Sequence, residues 1–346
     1  MIPVPHSSKP SMTTSLAFPP TPSALCEHLK PTLDDLSQEA SQGSYDSRRL
    51  FYGRGGRYDG LEFINIDFFQ PVLLITLYRD PGEQWLLSLL EVLEQGGSLD
   101  DLDSKGALDT IYVQQRFIKE GPVKMLWRSD NVKHSGAEVE REYCARESGL
   151  EYALNLRANR NHGFFLDMAS GRDWLRECAA GKRVLNLFSY TCSFSVSALA
   201  GGADSVVNID LSSPSLSVGR KNHIRNGLQS DAVKYLKLDI LNSWGRIKRL
   251  GPYDVVVVDP PSRQKGSFDA ERDYPKIIRR LEEFVVEGGD ILACLNAPHL
   301  SAAFLEANFS RLCPNAELLG RLPATQGFEE KNSDSGLKLL HYRLCN

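Results

Sequence analysis

From about Arg160 to its end the chain alternates short, nearly unbroken apolar runs with helical stretches, and few folds accept that pattern. The runs Arg183–Phe188, Ser205–Asp210, Ala232–Asp239, Tyr253–Asp259 and Asp290–Leu295 have strand length. Near-continuous apolar strands suit a parallel sheet covered on both faces. Helical spacing falls between them, over Ser193–Ala200, Ser213–Asn226 and Tyr274–Val286, and Leu337–Leu344 reads as a last strand. The pattern predicts an open, doubly wound, Rossmann-like α/β sheet over 160–346.

The chain before it reads differently. Arg49–Arg54, Phe63–Gln70, Val72–Arg79, Thr110–Phe117 and Glu151–Leu156 are strand candidates. Glu83–Gln95 carries Trp85, Leu86, Leu89, Leu90 and Leu93 at helical spacing, and Gly96-Gly97 stops it. Pro71 belongs at a strand start or edge, where its missing N–H costs little. A small α+β module is expected over 47–159. The turn Gly53-Arg54-Gly55-Gly56 lacks the spacing of a nucleotide loop and reads as a plain glycine turn. Residues 1–46 form a proline-rich N-terminal segment: 1–31 alone hold 7 of the 18 prolines, and they read as a mobile tail or extended strap.

Composition narrows the function classes. With 40 basic and 44 acidic side chains the net charge is −4, which argues against coating nucleic acid by bulk charge but allows a local basic patch. No apolar run approaches the roughly 18 residues of a membrane span. The 7 cysteines are scattered without a CxxC pair, against a disulfide framework or a zinc ribbon and in favour of a reducing cytoplasm. No positively charged N-terminal stretch leads into an apolar segment, which argues against a secretory signal. The histidines show no metal-ligand spacing.

Ligands of open α/β sheets bind outside the carboxyl ends of the strands, so those ends supply the candidates. Asp210 closes the second strand 20 residues beyond Tyr190, a spacing at which a carboxylate can hold two ribose hydroxyls; a helix N-cap before Ser213-Pro214 is the structural alternative. Residues 186–195 contain no glycine. A dinucleotide needs a glycine-rich turn to bring backbone N–H groups to its pyrophosphate, whereas S-adenosylmethionine has a ribose and adenine but no phosphate. Asp259-Pro260-Pro261-Ser262 follows four valines. Two prolines fix consecutive φ angles and remove two donors, giving a stiff turn suited to presenting the nitrogen of a planar base to a methyl group.

These residues together resemble the class I S-adenosylmethionine-dependent methyltransferases, and more closely the family that methylates bases of bacterial large-subunit ribosomal RNA, which includes cytosine-C5 and guanine-N7 enzymes. The likeness rests on Gly163-Phe164-Phe165-Leu166-Asp167, Val184–Thr191, Val207–Ser212, Asn222 with Asn226-Gly227-Leu228, and Asp259–Ser262. It covers about 47–346 and implies S-adenosyl-L-methionine as cofactor and RNA as partner. It implies that Phe165 and Asp167 close over the methionine end, Asp167 near its amino group. Asn186, Phe188, Ser189 and Tyr190 would line the methionine and ribose, Asp210 would hold the ribose hydroxyls, Leu211 would lie against the adenine and Asp239 would meet its amino group. Asp259 and Pro260 would face the target base, Asp259 also bordering the cofactor. Cys192 stands where relatives often have glycine and reads as a small packing residue.

Carbon methylation needs a thiolate, and relatives that use it carry one just past the fifth strand. Here Asn296 takes that place and Cys294 falls inside the strand, so nitrogen methylation is favoured over cytosine-C5 methylation. A non-catalytic RNA-binding or ribosome-assembly protein and a dehydrogenase of the same topology are the other readings. Basic groups at Arg157 with Arg160, Arg246 with Lys248 and Arg249, and Arg279 with Arg280 could bind phosphates or form solvated faces. Tyr152, Phe164, Tyr190 and Phe268 are candidates for base stacking. The sequence leaves the assembly state open, a homodimer included.

Overall fold

The computed structural model describes residues 19–40, 45–133, 142–157, 161–228, 231–264 and 267–345. Residues 1–18 and 41–44 of the proline-rich segment, and Arg160, lie outside them. The described residues from Pro22 on depart from the expected mobile tail or extended strap. Pro22–Ala40 is helix α1, and it buries Leu25, Leu29, Leu33 and Leu36. These leucines share one helical face, and burying each is worth about 1.5–3 kcal/mol. Together they outweigh the roughly 3 kcal/mol that Pro31 costs inside the helix.

Strands β1 (Arg48–Tyr52), β2 (Ile64–Phe69) and β3 (Val72–Leu77), helices α2 (Glu83–Gln95) and α3 (Ser98–Ser104), and strands β4 (Thr110–Gln115) and β5 (Val123–Arg128) build a five-stranded sheet in the order β1-β2-β3-β4-β5. Only β3 and β4 run parallel, joined across the two helices. Helices α1, α2 and α3 cover one face, where Leu29, Leu89 and Leu99 meet Ile66, Ile75 and Val113. A one-turn helix α4 (Asp130–Lys133) follows, then the hairpin β6 (Tyr143–Glu147) and β7 (Leu150–Leu154). The other sheet face packs on that hairpin: Phe69, Leu74 and Tyr112 join Tyr143, Tyr152, Leu154, Phe164 and Val196.

The second body comprises α5 (Ala169–Cys178), β8 (Arg183–Leu187), α6 (Ser193–Ala200), β9 (Ser205–Asp210), α7 (Ser213–Arg225), β10 (Val233–Lys237), α8 (Trp244–Leu250) and β11 (Tyr253–Val258). The short ribbon β12 (Arg263–Gln264) and β13 (Phe268–Asp269) is followed by α9 (Ala270–Ile278), β14 (Val285–Leu295), α10 (Ala302–Leu312), β15 (Ala316–Arg321) and β16 (Lys338–Leu344). The sheet order is β10-β9-β8-β11-β14-β16-β15, with β16 antiparallel to both neighbours. The chain winds one way from β8 and the other way from β11, so the switch point lies between these two parallel strands. The helix expected over Tyr274–Val286 instead starts at Ala270 and ends at Ile278, and Val285 already belongs to β14. Helices α5, α8 and α10 and strand β15 escaped the sequence reading.

Asn222 and Asn226 tie the hairpin to α7. Asn222 Oδ1 accepts the Ala153 N–H at 2.8 Å, and the Asn226 amide both accepts from Glu151 N and donates to Glu151 O. The loop 322–337 closes the opposite rim. Lys331 N donates to Gly55 O at 2.8 Å, Tyr52 donates to Glu330, and the Arg49 guanidinium lies 4.2 Å from the Phe328 ring centre.

Candidate functional site

Two cavities meet at the boundary of the two bodies. One, of about 550 Å³, runs along the carboxyl ends of β10, β9, β8 and β11. Every residue assigned from the resemblance to the cofactor or the target base lines it: Phe165, Asp167, Asn186, Phe188, Ser189, Tyr190, Asp210, Leu211, Asp239, Asp259 and Pro260.

The turn after β8 is its floor. Phe188, Tyr190 and Cys192 adopt left-handed φ values of 59°, 46° and 62° without being glycine. Each such residue costs about 1–2 kcal/mol, so something must hold the turn. Ser189 N donates to Ile209 O, Tyr190 N to Asp210 Oδ2 at 2.9 Å, and Cys192 N to Ser189 O, while Thr191 Oγ1 donates to Gly163 O at 2.6 Å. Gly219 of α7 is a further condition: a Cβ there would lie 2.4 Å from Cys192 Sγ. Cys192 is fully buried, as a packing residue should be.

Asp210 binds backbone on two sides, Tyr190 N through Oδ2 and Ser212 N through Oδ1 at 2.7 Å. It is not the cap of α7. Ser212 is, accepting from Ser215 N. Asp239 accepts from Leu241 N and Asn242 Nδ2. Asp259 and Asp167 both line the first cavity, and Asp167 lines the second as well. Burial, and then the charge of Asp167, push the Asp259 carboxyl up to about 7 against the opposing pull of Arg172. Burial raises Asp167 as well, while Arg49 and Arg172 draw it back. The Arg172 guanidinium is itself buried, bidentate on Glu147 with both contacts at 2.6 Å, and donates to Phe165 O at 3.0 Å.

The cavity contains what a phosphate-free nucleoside requires. Phe165 and Leu211 leave 42% and 41% of their surface exposed. Asn186 Oδ1 and Ser189 Oγ are buried without a hydrogen-bond partner, a costly state for polar atoms. A ligand with apolar faces and convergent donors would satisfy both features. No helix among the described residues is long and apolar enough to cross a membrane, and no metal-ligating cluster occurs among them.

The second cavity, about 650 Å³, shares Asn161, Phe165, Asp167 and Asn296 with the first. Its far wall is the small sheet, which contributes Arg49, Arg54, Asn65, Asp67, Tyr78 and Arg116, and its rim is the 322–337 loop with Arg321. Arg54 stands 4.3 Å and Arg116 5.9 Å from the Tyr78 ring centre. Sequence reasoning missed these arginines. Arg54 was hidden in an apparent glycine turn, and nothing local marks the others. Among the described residues, none of the basic groups singled out from the sequence lines either cavity. Of the stacking candidates, Tyr152 is buried core, Phe164 lines the second cavity, and Tyr190 and the largely buried Phe268 line the first. Cys294 lies within β14, fully buried, and burial holds its thiol well above the ordinary range. Asn296 stands just beyond, its amide 3.5 Å from Asp167 Oδ2.

The fold and the sequence both have relatives. A methyltransferase of Streptococcus mutans and SMU.776 in complex with SAH, both provisionally assigned, each superpose with a TM-score of 0.77 at 24% identity, over 94% of this chain and 82% of theirs. YwbD of Bacillus subtilis, provisionally named a ribosomal RNA large subunit methyltransferase, is 32% identical over 275 residues, 75% of this chain and 65% of its own. Ribosomal RNA large subunit methyltransferase K/L of Shewanella loihica is 29% identical over 281 residues, 78% of this chain. The chain spans 65% and 37% of these two relatives, less than two thirds of either. Residues 48–343 match the model of the S-adenosylmethionine-dependent methyltransferase family. The chain belongs to the S-adenosylmethionine-dependent methyltransferase family.

Proposed function

We propose that this protein methylates a base of large-subunit ribosomal RNA, at nitrogen rather than carbon, in the cytoplasm. The observation that carries the reading is the junction of the two cavities at Phe165, Asp167 and Asn296, next to the Asp259-Pro260-Pro261 turn. S-adenosylmethionine, when bound, supplies a methyl carbon activated by its sulfonium.

The chain's own residues do the rest. Asp210, already fixed by two backbone donors, offers its remaining lone pairs to the ribose hydroxyls. Leu211 and Phe188 cover the adenine and ribose, and Asp239 faces the adenine amino group from the turn after β10. Phe165 and Asp167 close the methionine end. Asp259 and the Pro260 carbonyl orient the target base and accept hydrogen bonds from its amino group; orientation alone can supply several kcal/mol of the barrier. The small sheet seats the RNA, with Arg54 and Arg116 for phosphate and Tyr78 for an unstacked base.

Cytosine-C5 methylation requires a thiolate in contact with the base. Cys294, with no exposed surface, speaks against it, and Cys294→Ala is expected to retain activity. The main test is methyl incorporation from labelled cofactor into ribosomal RNA of a strain lacking this protein, with the product mapped by mass spectrometry. No incorporation, together with intact SAH binding, would favour an assembly factor that keeps the fold. Asp210→Ala should weaken SAH binding at least 100-fold, since it removes two charge-assisted backbone contacts and the ribose acceptor; near-normal binding would refute its role.

A further inference from the structure

Behind the cofactor cavity lies a chain of buried hydrogen bonds whose donors and acceptors can be assigned without ambiguity. His223 Nδ1 lies 2.7 Å from Gly219 O, and a carbonyl only accepts, so Nδ1 carries the proton. Burial holds the imidazole below its ordinary pKa and hence neutral, which leaves Nε2 a bare acceptor. Ser195 Oγ, 2.9 Å away, must donate to it. That hydroxyl has one proton, so its contact with Asn208 at 2.9 Å is received from the Asn208 NH2. The Asn208 carbonyl then faces Asn186, whose register partner it is on the adjoining strand, and Asn186 must present its NH2 at 3.0 Å. What remains is Asn186 Oδ1, buried, without a protein partner, on a residue that lines the cavity. Ser195, His223 and Asn208 are fully buried and line neither cavity, so the Ser–His pair is no nucleophile.

We propose that Ser195 and His223 are positioning residues: through Asn208 they hold the Asn186 amide with its carbonyl oxygen free, to receive a hydrogen bond from the ammonium of the cofactor's amino-acid moiety. This rests on the assignment of the cavity to S-adenosylmethionine. Asn186, next to last in β8 at the switch point, lines the cavity together with Asp167 and Asp259, whereas Asp210 ends β9 and Asp239 lies just past β10. The nucleoside is therefore served by the outer strands, and Asn186 meets the amino-acid end. An Asn186 amide turned the other way would point two N–H donors at a cation.

Calorimetric titration with two ligands tests this. SAH has the amino acid; 5′-methylthioadenosine keeps the nucleoside and sulfur but lacks it. Ser195→Ala breaks the relay and is expected to weaken SAH about fivefold, the fold-change of about 1 kcal/mol for one net hydrogen bond, and to leave 5′-methylthioadenosine within twofold. In an Asn186→Asp background, where both ends of the side chain accept, adding Ser195→Ala should change neither affinity. His223→Leu serves as a second break if the serine variant does not fold. An equal loss for both ligands would reduce the relay to a fold support and overturn the proposal, as would unchanged SAH affinity. Wild-type protein that binds neither ligand would overturn the cofactor assignment, and the relay with it.

Discussion

The Glu147–Arg172 pair gives the sharpest stability prediction. Arg172 is 1% and Glu147 11% exposed at the side chain, the two contacts of 2.6 Å use Nε and one terminal nitrogen of the guanidinium, and the other terminal nitrogen donates to Phe165 O. The guanidinium also lies 4.1 Å from the Phe164 ring centre. Removing one partner of such a pair strands the other charge in a dry environment, at a cost of about 3–5 kcal/mol. Glu147→Leu should therefore lower the free energy of unfolding by about that amount, read from urea titration as a drop in midpoint at constant slope. Replacing both, as Glu147→Leu with Arg172→Met, removes two desolvation penalties with the one attraction. The double variant should be more stable than the Glu147→Leu single. The reasoning is refuted if the double variant loses as much as the two singles added together, because the pair would then be two independent contacts rather than one compensated charge.

Three further predictions concern stability, chemistry and RNA. Asp259 titrates in the fold near 7 against an ordinary 3.8. The unfolded chain thus releases this proton first, and Asp259 lowers stability progressively as pH rises through that window; Asp259→Asn should flatten this part of the pH–stability curve. If its carboxylate orients the base, kcat/KM should rise with pH to a plateau above about 7 in the wild type, and a flat profile between pH 5 and 8 would exclude that role. Arg54→Ala should weaken RNA binding and lower the salt slope by about 1, without changing SAH affinity; an unchanged slope in fluorescence anisotropy would remove Arg54 from the phosphate path.

The catalytic sheet was legible because both its faces are covered, so its strands are marked by composition alone; Ser205–Asp210 and Ser193–Ala200 match the expected limits residue for residue. The first cavity was legible for the same reason, since strand ends are countable from strand positions. Helix α1 was not, because proline is a strong local signal whereas the leucine face gains its energy only from tertiary contact, with α2, α3 and the sheet. The second cavity was invisible for a related reason. Arg49, Arg116 and Arg321 come from strands of two different sheets, and only the pairing of those sheets brings them together. The relay behind Asn186 depends on strand register, which places Asn186 beside Asn208, and no spacing along the chain announces it.

The apolar layer shared by the five-stranded sheet and the hairpin has a consequence for substrate choice. Swinging the five-stranded sheet away from the hairpin and the second body together would bring Phe69, Leu74 and Tyr112 into water, at about 25 cal/mol for each Å² uncovered, and would also detach the 322–337 rim. The span from the arginine wall to the methyl-donor end is thus a ruler of set length rather than a jaw that adapts. On the proposed function, an RNA would be selected by whether one of its bases stands that distance from a phosphate bend, a criterion of shape that many nucleotides of suitable identity would fail.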